Sequence, residues 1–502
     1  MLFPTFTFAV FFAVVLPLSW YLRGRFTAWK LMILTASYVF YGYWDSRFLL
    51  LLASMTFGNE VAAVAIHRAG REGLRRVLVG AAVALDLCVL GFFKYYGFFT
   101  DSLERSFGLS SPALDVVLPI GISFYTFQAI SYVVDIFRRE SAPARLLDFA
   151  VYLSFFPQLV AGPIVRASEF LPELRAQRVP SQVEAGRAVQ LIGRGLFKKV
   201  VIADFLGRSI VDATFATPGQ FGGADMLAGI YGYAIQLYAD FSGYTDMAIG
   251  LALLLGFRFP QNFDRPYAAV SIQDFWRRWH MTLSRWLRDY LYFPLGGNRS
   301  GGWQTHRNLL ITMALGGLWH GAGGTFVVWG VYHGLGLAGE RFLSDMRGEQ
   351  DRPLEAVDVR IRELALLHSG ASVEPWREDP TSPVPFTPMD VRRLWVGRLV
   401  TFHFVCVGWI IFNASSLSRA WDVLAGVFQG WTTSPELLNP LVGAVIVVSL
   451  AVQFVPPLLA RQWSAMFSTV RPGVVAVGFA LWVMIVVALG PEGISDFIYF
   501  QF

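Results

Sequence analysis

Long apolar stretches recur along almost the whole chain, and they constrain the fold more than any other feature of the sequence. Several stretches reach the roughly 20 mainly apolar residues that a helix needs to cross a bilayer. Shorter stretches that carry glycine or tryptophan are typical of tilted or re-entrant segments packed against other protein. The pattern predicts an all-α, polytopic integral membrane protein with about 10–12 transmembrane or re-entrant helices. The stretches cover residues 5–22, 31–44, 48–66, 77–99, 113–134, 147–165, 226–257, 309–320, 325–343, 395–413, 437–460 and 473–490.

Composition excludes other classes of protein. Hydrophobic residues make up 55% of the 502 residues and charged residues only 15%, whereas soluble domains carry about 25% charged residues. A water-soluble enzyme and a disordered chain are therefore both excluded. The net charge of +5 is small for this length and does not indicate nucleic-acid binding. The N-terminal apolar stretch lacks a basic leader and a small-residue cleavage site, which predicts a retained helix rather than a signal peptide.

The distribution of lysine and arginine predicts the orientation, because short cytoplasmic loops are enriched in both. Threading the chain so that the basic clusters all face the cytoplasm places the N-terminus outside. The same threading places the last residues, FIYFQF, outside as well. The clusters lie at residues 23–30, 68–76, 138–145, 392–398 and 461–471.

Two regions do not have the composition of membrane spans. Residues 175–208 mix arginine and lysine with leucine, valine and phenylalanine, which predicts a basic amphipathic helix at the cytoplasmic interface. Residues 344–394 are rich in Asp, Glu, Arg and Pro and are predicted to form a cytoplasmic loop or insert. The predicted organisation is a membrane core at 1–343, this insert at 344–394 and C-terminal membrane helices at 395–502.

Residues 262–299 hold the densest group of polar side chains in apolar surroundings. Each ionisable group inside a membrane segment costs about 2.5–3.5 kcal/mol on insertion scales, so such groups call for an explanation. On one continuous helix these residues predict a single polar stripe flanked by tryptophans. The stripe either lines an aqueous or cofactor-filled cavity or faces water at the membrane interface, and the residues alone leave both interpretations open. Its members are Arg277, His280, Ser284 and Arg288.

A histidine surrounded by glycines marks the segment GGLWHG at 316–321. Five glycines between 316 and 324 predict a chain break or a close helix contact, which a membrane tolerates only inside protein or beside water. His320 is then either a hydrogen-bonded core residue or a base beside a cavity, and taken singly it favours the core interpretation. His333, on the following helix, is interpreted as a packing residue.

Carboxylates also occur inside the long apolar stretch at 226–257. They either relay protons or pair with the arginines of the 277–288 stripe, and pairing is favoured because an unpaired buried carboxylate would neutralise. The polar residues on two neighbouring faces of this helix are Tyr238, Asp240, Ser242, Tyr244 and Asp246. The sequence contains no metal-ligand spacing, phosphate-binding glycine loop or nucleophile elbow.

At these motifs the sequence resembles the membrane-bound O-acyltransferase superfamily, and within it the bacterial branch that includes the membrane subunit of alginate O-acetylation. The likeness covers most of the chain in order, and such long matches are specific. The insert at 344–394 has no counterpart in the family pattern. The matching segments are 118–138, 155–166, 238–267, 274–299, GGLWHG at 316–321, VGWIIFNASS at 407–416 and the terminal FIYFQF.

The resemblance implies a ring of helices around a central tunnel in the bacterial plasma membrane. It implies that His320 is the essential catalytic histidine and His280 the second histidine of the site. Acetyl-CoA is the expected acyl donor from the cytoplasm, the acceptor arrives from outside, and no bound cofactor is expected. The side chains expected to contact substrates or line the tunnel are Trp319, Asp240, Ser242, Tyr244, Asp246, Arg277 and Arg288. Arg277, Arg278 and Arg288 are the candidates for the CoA phosphates.

The terminal FIYFQF is similar to the C-terminal motif of a helper peptide in the related D-alanylation system. The resemblance implies that Tyr499 accepts acetyl from acetyl-CoA with the help of His320. A periplasmic or extracellular SGNH-type transferase would then pass it to a polysaccharide. The alternative is that FIYFQF only docks the chain end as an aromatic anchor.

Functions of other classes remain open at this point. A polysaccharide or lipid transporter would also have many helices with buried charges, although the paired halves common in transporters are not apparent here. A scaffold subunit would leave all chemistry to a partner. A lipid O-acyltransferase with a long-chain donor is the alternative within the family.

Overall fold

The structure, a computed structural model, describes residues 1–108, 114, 116–299, 301–346, 388–432, 434–455, 470–490 and 497–498. Every regular element in these residues is a helix. The all-α prediction is therefore confirmed for the part of the chain that the structure describes. Most of the predicted insert, at 347–387, lies outside the described residues.

The first half of the chain forms many short and medium helices, several of which continue into π-helical turns. The α-helices are α1 (Phe6–Leu22), α2 (Phe26–Gly42), α3 (Arg47–Arg68), α4 (Glu72–Leu90), α5 (Tyr96–Phe107), α6 (Ile122–Phe137), α7 (Leu146–Ser154), α8 (Phe156–Leu159), α9 (Ala167–Ala176), α10 (Gln182–Leu196), α11 (Asp204–Leu206) and α12 (Asp212–Ala216). The π-helical segments are Gly91–Tyr95, Phe197–Ala203 and Gly207–Val211.

The second half contains the longest helix and the helices that carry the histidine motifs. They are α13 (Gly223–Leu254), α14 (Ile272–Arg278), α15 (Met281–Leu287), α16 (Gly302–His320), α17 (Gly324–Met346), α18 (Pro388–Asn413), α19 (Leu417–Gly426), α20 (Pro440–Val452) and α21 (Pro472–Leu489). A π-helical segment, Arg288–Tyr292, follows α15, and 3₁₀ turns occupy Pro218–Gln220 and Pro266–Ala268.

Three helical stretches among the described residues are long and apolar enough to cross a membrane. They are Arg47–Arg68, Glu72–Glu104 and Val391–Asn413, and shorter apolar helices lie at Phe6–Leu22, Ile122–Phe137, Pro440–Val452 and Gly473–Val486. Many of their large apolar side chains are exposed in the isolated chain. A water-soluble protein would not expose so much apolar surface, so these helices are suited to contact lipid.

Helix α13 is the longest α-helix among the described residues and lies in the interior of the fold. Its 32 residues are long enough to span a bilayer, and almost all of its side chains are buried by protein. Helix α10 packs along α13, and the two backbones approach closely where glycine faces glycine. A Cβ added to Gly243 would lie 2.8 Å from the carbonyl oxygen of Gly195. Small residues of this kind let membrane helices pack backbone to backbone.

The interpretation of residues 175–208 as one interfacial helix is wrong. The chain there forms the end of α9, then α10, then a π-helical segment, Phe197–Ala203, that turns its lysines inward. Lys199 is only 3% exposed. The cause is tertiary, because carboxylates on α13 supply partners that an isolated amphipathic helix would not have.

We predict that Gly243→Ala lowers the thermal stability of the protein, since the added methyl group meets backbone that cannot move aside cheaply. Overpacking of this kind costs about 1–3 kcal/mol. The measurement is the melting temperature in detergent, followed by fluorescence-detected gel filtration. Gly80→Ala on α4 is the control, because a Cβ there meets nothing within 4 Å. Equal melting temperatures for the two variants would contradict the close backbone contact.

Candidate active site

Two histidines that lie 40 positions apart in the sequence meet in the interior. The ring centroids of His280 and His320 are 6.4 Å apart. His280 is fully buried and His320 is 3% exposed. The ring of Trp319 lies against both imidazoles, with centroids 5.0 Å from His320 and 6.0 Å from His280. The structure thus brings together the two histidines that the resemblance assigns to one site and Trp319, which it expects to contact substrates or line the tunnel.

His320 is the last residue of α16, and the glycines around it explain its position. A Cβ on Gly317 would collide with the backbone of α17, so glycine allows α16 and α17 to pack closely. A Cβ on Gly321 would overlap the ring of Phe326, which packs over the turn that follows the helix. Both predicted features, the chain break and the close helix contact, are therefore present. They leave the imidazole of His320 at a helix end rather than along a helix face.

His280 also lies at a break, and the predicted single stripe from Arg277 to Arg288 is wrong. The backbone at His280 is left-handed (φ 42°, ψ 53°) and separates α14 from α15. Asn262 stabilises the break from outside the helices: its backbone carbonyl accepts from the Met281 N–H at 2.9 Å. Its side-chain oxygen accepts from the Thr282 N–H at 3.1 Å and the Thr282 hydroxyl at 2.9 Å. His280 therefore faces the interior independently of Arg277 and Arg288.

Aromatic rings form a shell around the histidine pair. His320 packs against Trp329 and Phe412, with centroids 5.1 and 5.5 Å away, and His280 packs against Phe241 at 4.7 Å. His333 lies beyond Trp329 and is fully buried among aromatic rings, so its interpretation as a packing residue is confirmed. Because Phe412 belongs to α18, the C-terminal helices contribute directly to the site.

The carboxylates of α13 do not pair with the 277–288 arginines. Lys199 forms ion pairs with Asp240 at 2.6 Å and with Asp204 at 3.0 Å. Asp246 pairs with Arg194 at 2.6 Å and with Lys198 at 2.9 Å. All three cations come from α10 and the π-helical segment after it. The prediction that these carboxylates form ion pairs is thus confirmed, but the predicted partners, the 277–288 arginines, are wrong.

The residues on the predicted face of α13 that carries Ser242 and Asp246 all contact one side chain, that of Lys198. Lys198 Nζ donates to the Ser242 hydroxyl at 3.0 Å and to Asp246 at 2.9 Å. It also lies 5.1 Å from the centre of the Tyr238 ring. Tyr244 has a different role, because its ring stacks on Phe3 at 4.6 Å.

The chain end reaches the same interior. The Ile498 N–H donates to Asp240 Oδ2 at 2.9 Å. The Phe497 ring packs 5.6 Å from Phe241 and 4.8 Å from Tyr244. Phe241 therefore contacts both the chain end and His280. Tyr499, the next residue, lies outside the described residues.

A polar cavity of about 100 Å³ adjoins the chain end. Ile498, Asp240 and Lys199 line it, together with Asp204, Gly207, Arg208, Val211, Asp212, Tyr233, Gln236 and Asn413. Arg208 and Asp212 are exposed, so the cavity extends from the buried Asp240 towards the surface. It offers charged and amide groups that can hold a polar ligand beside the chain end.

The three arginines suggested for CoA differ in their surroundings. Arg278 is buried and forms an ion pair with Asp274 at 2.6 Å, so it is already neutralised. Arg277 is exposed. Arg288 is exposed and pairs with Asp289 at 2.7 Å. Only Arg277 and Arg288 therefore remain as surface cations that can contact a phosphate.

Sequence reasoning missed Lys94. It interrupts the apolar stretch 77–99, which was the available signal. Its Nζ donates to the carbonyl oxygens of Trp319 and His320. Lys198 and Lys199 were noticed only as surface charges of the 175–208 segment.

Comparisons with known proteins point to one family. The model of the membrane-bound O-acyltransferase family matches residues 138–350. The chain is 40% identical to the "probable alginate O-acetylase AlgI" of Pseudomonas aeruginosa, over 88% of this chain and 77% of that protein. It is 36% identical to the protein of the same name in Pseudomonas putida, over 98% of this chain and 99% of that protein. It is also 36% identical to the "peptidoglycan O-acetyltransferase" of Helicobacter pylori, over 79% and 73% of the two chains.

We predict that Asn262→Ala destabilises the protein, because it leaves the buried Thr282 N–H and hydroxyl without their acceptor. Unsatisfied buried groups cost about 1–3 kcal/mol. Asn439→Ala is the control: it removes the exposed N-cap that accepts from the Leu441 and Val442 N–H groups, worth about 1 kcal/mol. The melting temperature of Asn262→Ala should fall further than that of the control. An unchanged melting temperature would show that Asn262 does not hold the break at His280.

Proposed function

Because the chain belongs to the membrane-bound O-acyltransferase family, we propose that it moves acetyl groups from cytoplasmic acetyl-CoA across the membrane for O-acetylation of an exported polysaccharide. Family membership confirms the resemblance seen in the sequence motifs and makes the protein a membrane acyltransferase. The acetyl group and the glycan acceptor are supported by the names of the relatives, which refer to O-acetylation of alginate and of peptidoglycan.

One observation carries the proposal: Phe241 contacts both His280, a member of the histidine pair, and Phe497 at the chain end. Phe241 lies 4.7 Å from His280 and 5.6 Å from Phe497, and His280 lies 6.4 Å from His320. The described chain end and the histidine pair therefore lie on either side of one buried ring. An acyl transfer between a donor and an acceptor needs this proximity, which is worth several kcal/mol of the reaction barrier.

In the proposed chemistry His320 is the general base. A neutral imidazole nitrogen accepts the proton of the acceptor hydroxyl while that oxygen attacks the thioester carbonyl. The tetrahedral intermediate then collapses, the C–S bond breaks, and the imidazolium returns the proton to the departing sulfur. The products are an O-acetyl ester and free CoA, so His320 is regenerated in each cycle.

His280 is proposed to stabilise the oxyanion of this intermediate. Neither of its ring nitrogens has a hydrogen-bond partner among the described residues. A neutral imidazole carries one N–H donor, and that donor is therefore available for a developing negative charge. A fixed donor in a water-excluded site is an effective way to lower an acyl-transfer barrier.

The first acceptor in the proposal is Tyr499, which would carry acetyl as a phenyl ester. Support comes from its neighbour, because Asp240 holds the Ile498 N–H and the polar cavity begins at that residue. An SGNH-type transferase outside the plasma membrane would then attack the ester and pass acetyl to the polysaccharide. The aromatic-anchor alternative assigns docking to FIYFQF, a task that Phe497 already performs between Phe241 and Tyr244.

Access to the histidines is the remaining requirement. The proposal includes a ring of helices around a tunnel, with both chain termini outside and the CoA phosphates near Arg277 or Arg288. Since His320 is only 3% exposed, the aromatic rings around it must move apart before the donor's carbonyl can reach it. Trp319 lies against both imidazoles and is proposed to contact the donor after this movement.

We predict that His320→Ala lowers acetyl transfer from acetyl-CoA by about 10²–10⁴-fold, because the general base is lost. The measurement is release of free CoA by the purified protein, with its melting temperature recorded in parallel. His403→Ala is the control, since His403 is exposed and hydrogen-bonds Tyr231 at 2.8 Å. Full activity of His320→Ala would support the scaffold alternative. Wild-type protein that turns over long-chain donors but not acetyl-CoA would support the lipid acyltransferase.

A separate prediction concerns the carrier. Mass spectrometry of protein quenched during turnover should find an added acetyl group on the peptide that contains Tyr499. Tyr499→Phe should lack the modification and stop polysaccharide acetylation, while Tyr43→Phe, a change at an exposed tyrosine, should keep both. An active Tyr499→Phe protein would eliminate the carrier and leave direct transfer to the partner or the glycan.

A further inference from the structure

Lys94 lies in an apolar membrane segment, where a lysine is energetically unfavourable and needs an explanation. It belongs to the π-helical segment Gly91–Tyr95, within the apolar helical stretch Glu72–Glu104. An ammonium group at membrane depth costs several kcal/mol unless it finds partners. The described carboxylates form no ion pair with it. Its Nζ instead donates to backbone carbonyl groups and, at 3.5 Å, to the Ser123 hydroxyl.

These carbonyl groups belong to the end of α16. Lys94 Nζ donates to the Trp319 carbonyl at 2.6 Å and to the His320 carbonyl at 3.0 Å. The next residue, Tyr95, donates its hydroxyl to the Leu318 carbonyl at 2.7 Å. The last carbonyls of a helix have no partner within the helix, so Lys94 and Tyr95 together cap three consecutive ones.

Charge makes this cap stronger than a neutral one. The C-terminal end of a helix carries partial negative charge, and a cation there is stabilising. A lysine or arginine in the last turn of a helix can supply this cation from the helix itself. In α16 the last turn is apolar apart from His320 itself, so the cation comes from a different helix.

The cap acts on the residue that carries the chemistry. His320 is the final residue of α16, and the chain leaves the helix at Gly321 in an extended conformation. No further helical turn holds the His320 backbone from the C-terminal side. The two hydrogen bonds from Lys94 therefore fix the peptide groups of Trp319 and His320. They thereby fix the backbone position from which the imidazole side chain extends.

We propose that Lys94 is a positioning residue for acyl transfer: by capping α16 it holds the His320 imidazole in a fixed position relative to the imidazole of His280. This inference rests on the proposed role of His320 as base. Lys94 does not contact the reacting atoms in the proposal, and its effect is transmitted through the backbone. A displacement of about 1 Å in a catalytic group can cost about 10²-fold in rate.

The test compares Lys94→Met, which removes the charge and all donors, with Lys94→Arg, which keeps a cation with several donors. In the full-length protein we expect Lys94→Met to lower kcat by about 100-fold. The fall in kcat should exceed any rise in the KM for acetyl-CoA, because the proposed phosphate contacts, Arg277 and Arg288, do not depend on Lys94. Lys94→Arg should recover most of the lost kcat, a rescue that general packing damage would not allow.

Lys30→Met is the matched control, because Lys30 is also a buried lysine, lies on α2 and pairs with Asp148 on α7. It should lower the melting temperature but leave kcat near the wild-type value. If Lys94→Met does not fold, Lys94→Gln replaces it with the same expected fall in kcat. The inference is overturned if Lys94→Met keeps wild-type kcat, or if Lys94→Arg is as impaired as Lys94→Met. Wild-type activity of His320→Ala would instead overturn the proposed function itself.

Discussion

The fold depends on the pairing of charges between α13 and the segment that packs along it. A lone charge in an apolar interior is very costly, and removing one member of a buried pair leaves the other uncompensated. Here a single stretch, residues 194–199, supplies the cations for both Asp240 and Asp246. The pairing requires the two backbones to lie close together, and the contact of Gly195 with Gly243 permits this. Charge and glycine placement therefore select the same register of α10 against α13.

Both histidines of the candidate site lie at interruptions of helices, and each interruption is stabilised by a group from elsewhere in the chain. Asn262 holds the break at His280, and Lys94 holds the helix end at His320. Helix ends expose backbone groups that need partners, so a buried helix end requires an external cap. The result is that the positions of the two imidazoles are determined by tertiary contacts.

Features that depend on local sequence could be predicted, whereas features that depend on tertiary contacts could not. Long apolar stretches predicted most of the longer helices. The glycines around His320 predicted the break there, because a missing Cβ is a local property. The break at His280 was not predictable, since the residues from Arg277 to Arg288 are compatible with one continuous helix. The partners of Asp240 and Asp246 were not predictable either: arginines at 277–288 and basic residues at 194–199 are equally suitable in charge, and only the packed fold distinguishes them. Lys94 was visible as an isolated charge, but its carbonyl partners lie more than 200 positions away.

The docking of the chain end limits how a carrier at Tyr499 can operate. Asp240 accepts from the Ile498 N–H while it pairs with Lys199, so undocking would leave a buried carboxylate with one donor fewer. Such a loss costs about 1–3 kcal/mol, and the apolar burial of Phe497 adds to it. Covalent geometry keeps the Cα of Tyr499 about 3.8 Å from that of Ile498. If Tyr499 is the carrier, a transferase that takes its acetyl group is therefore expected to meet it close to the docked residues Phe497 and Ile498.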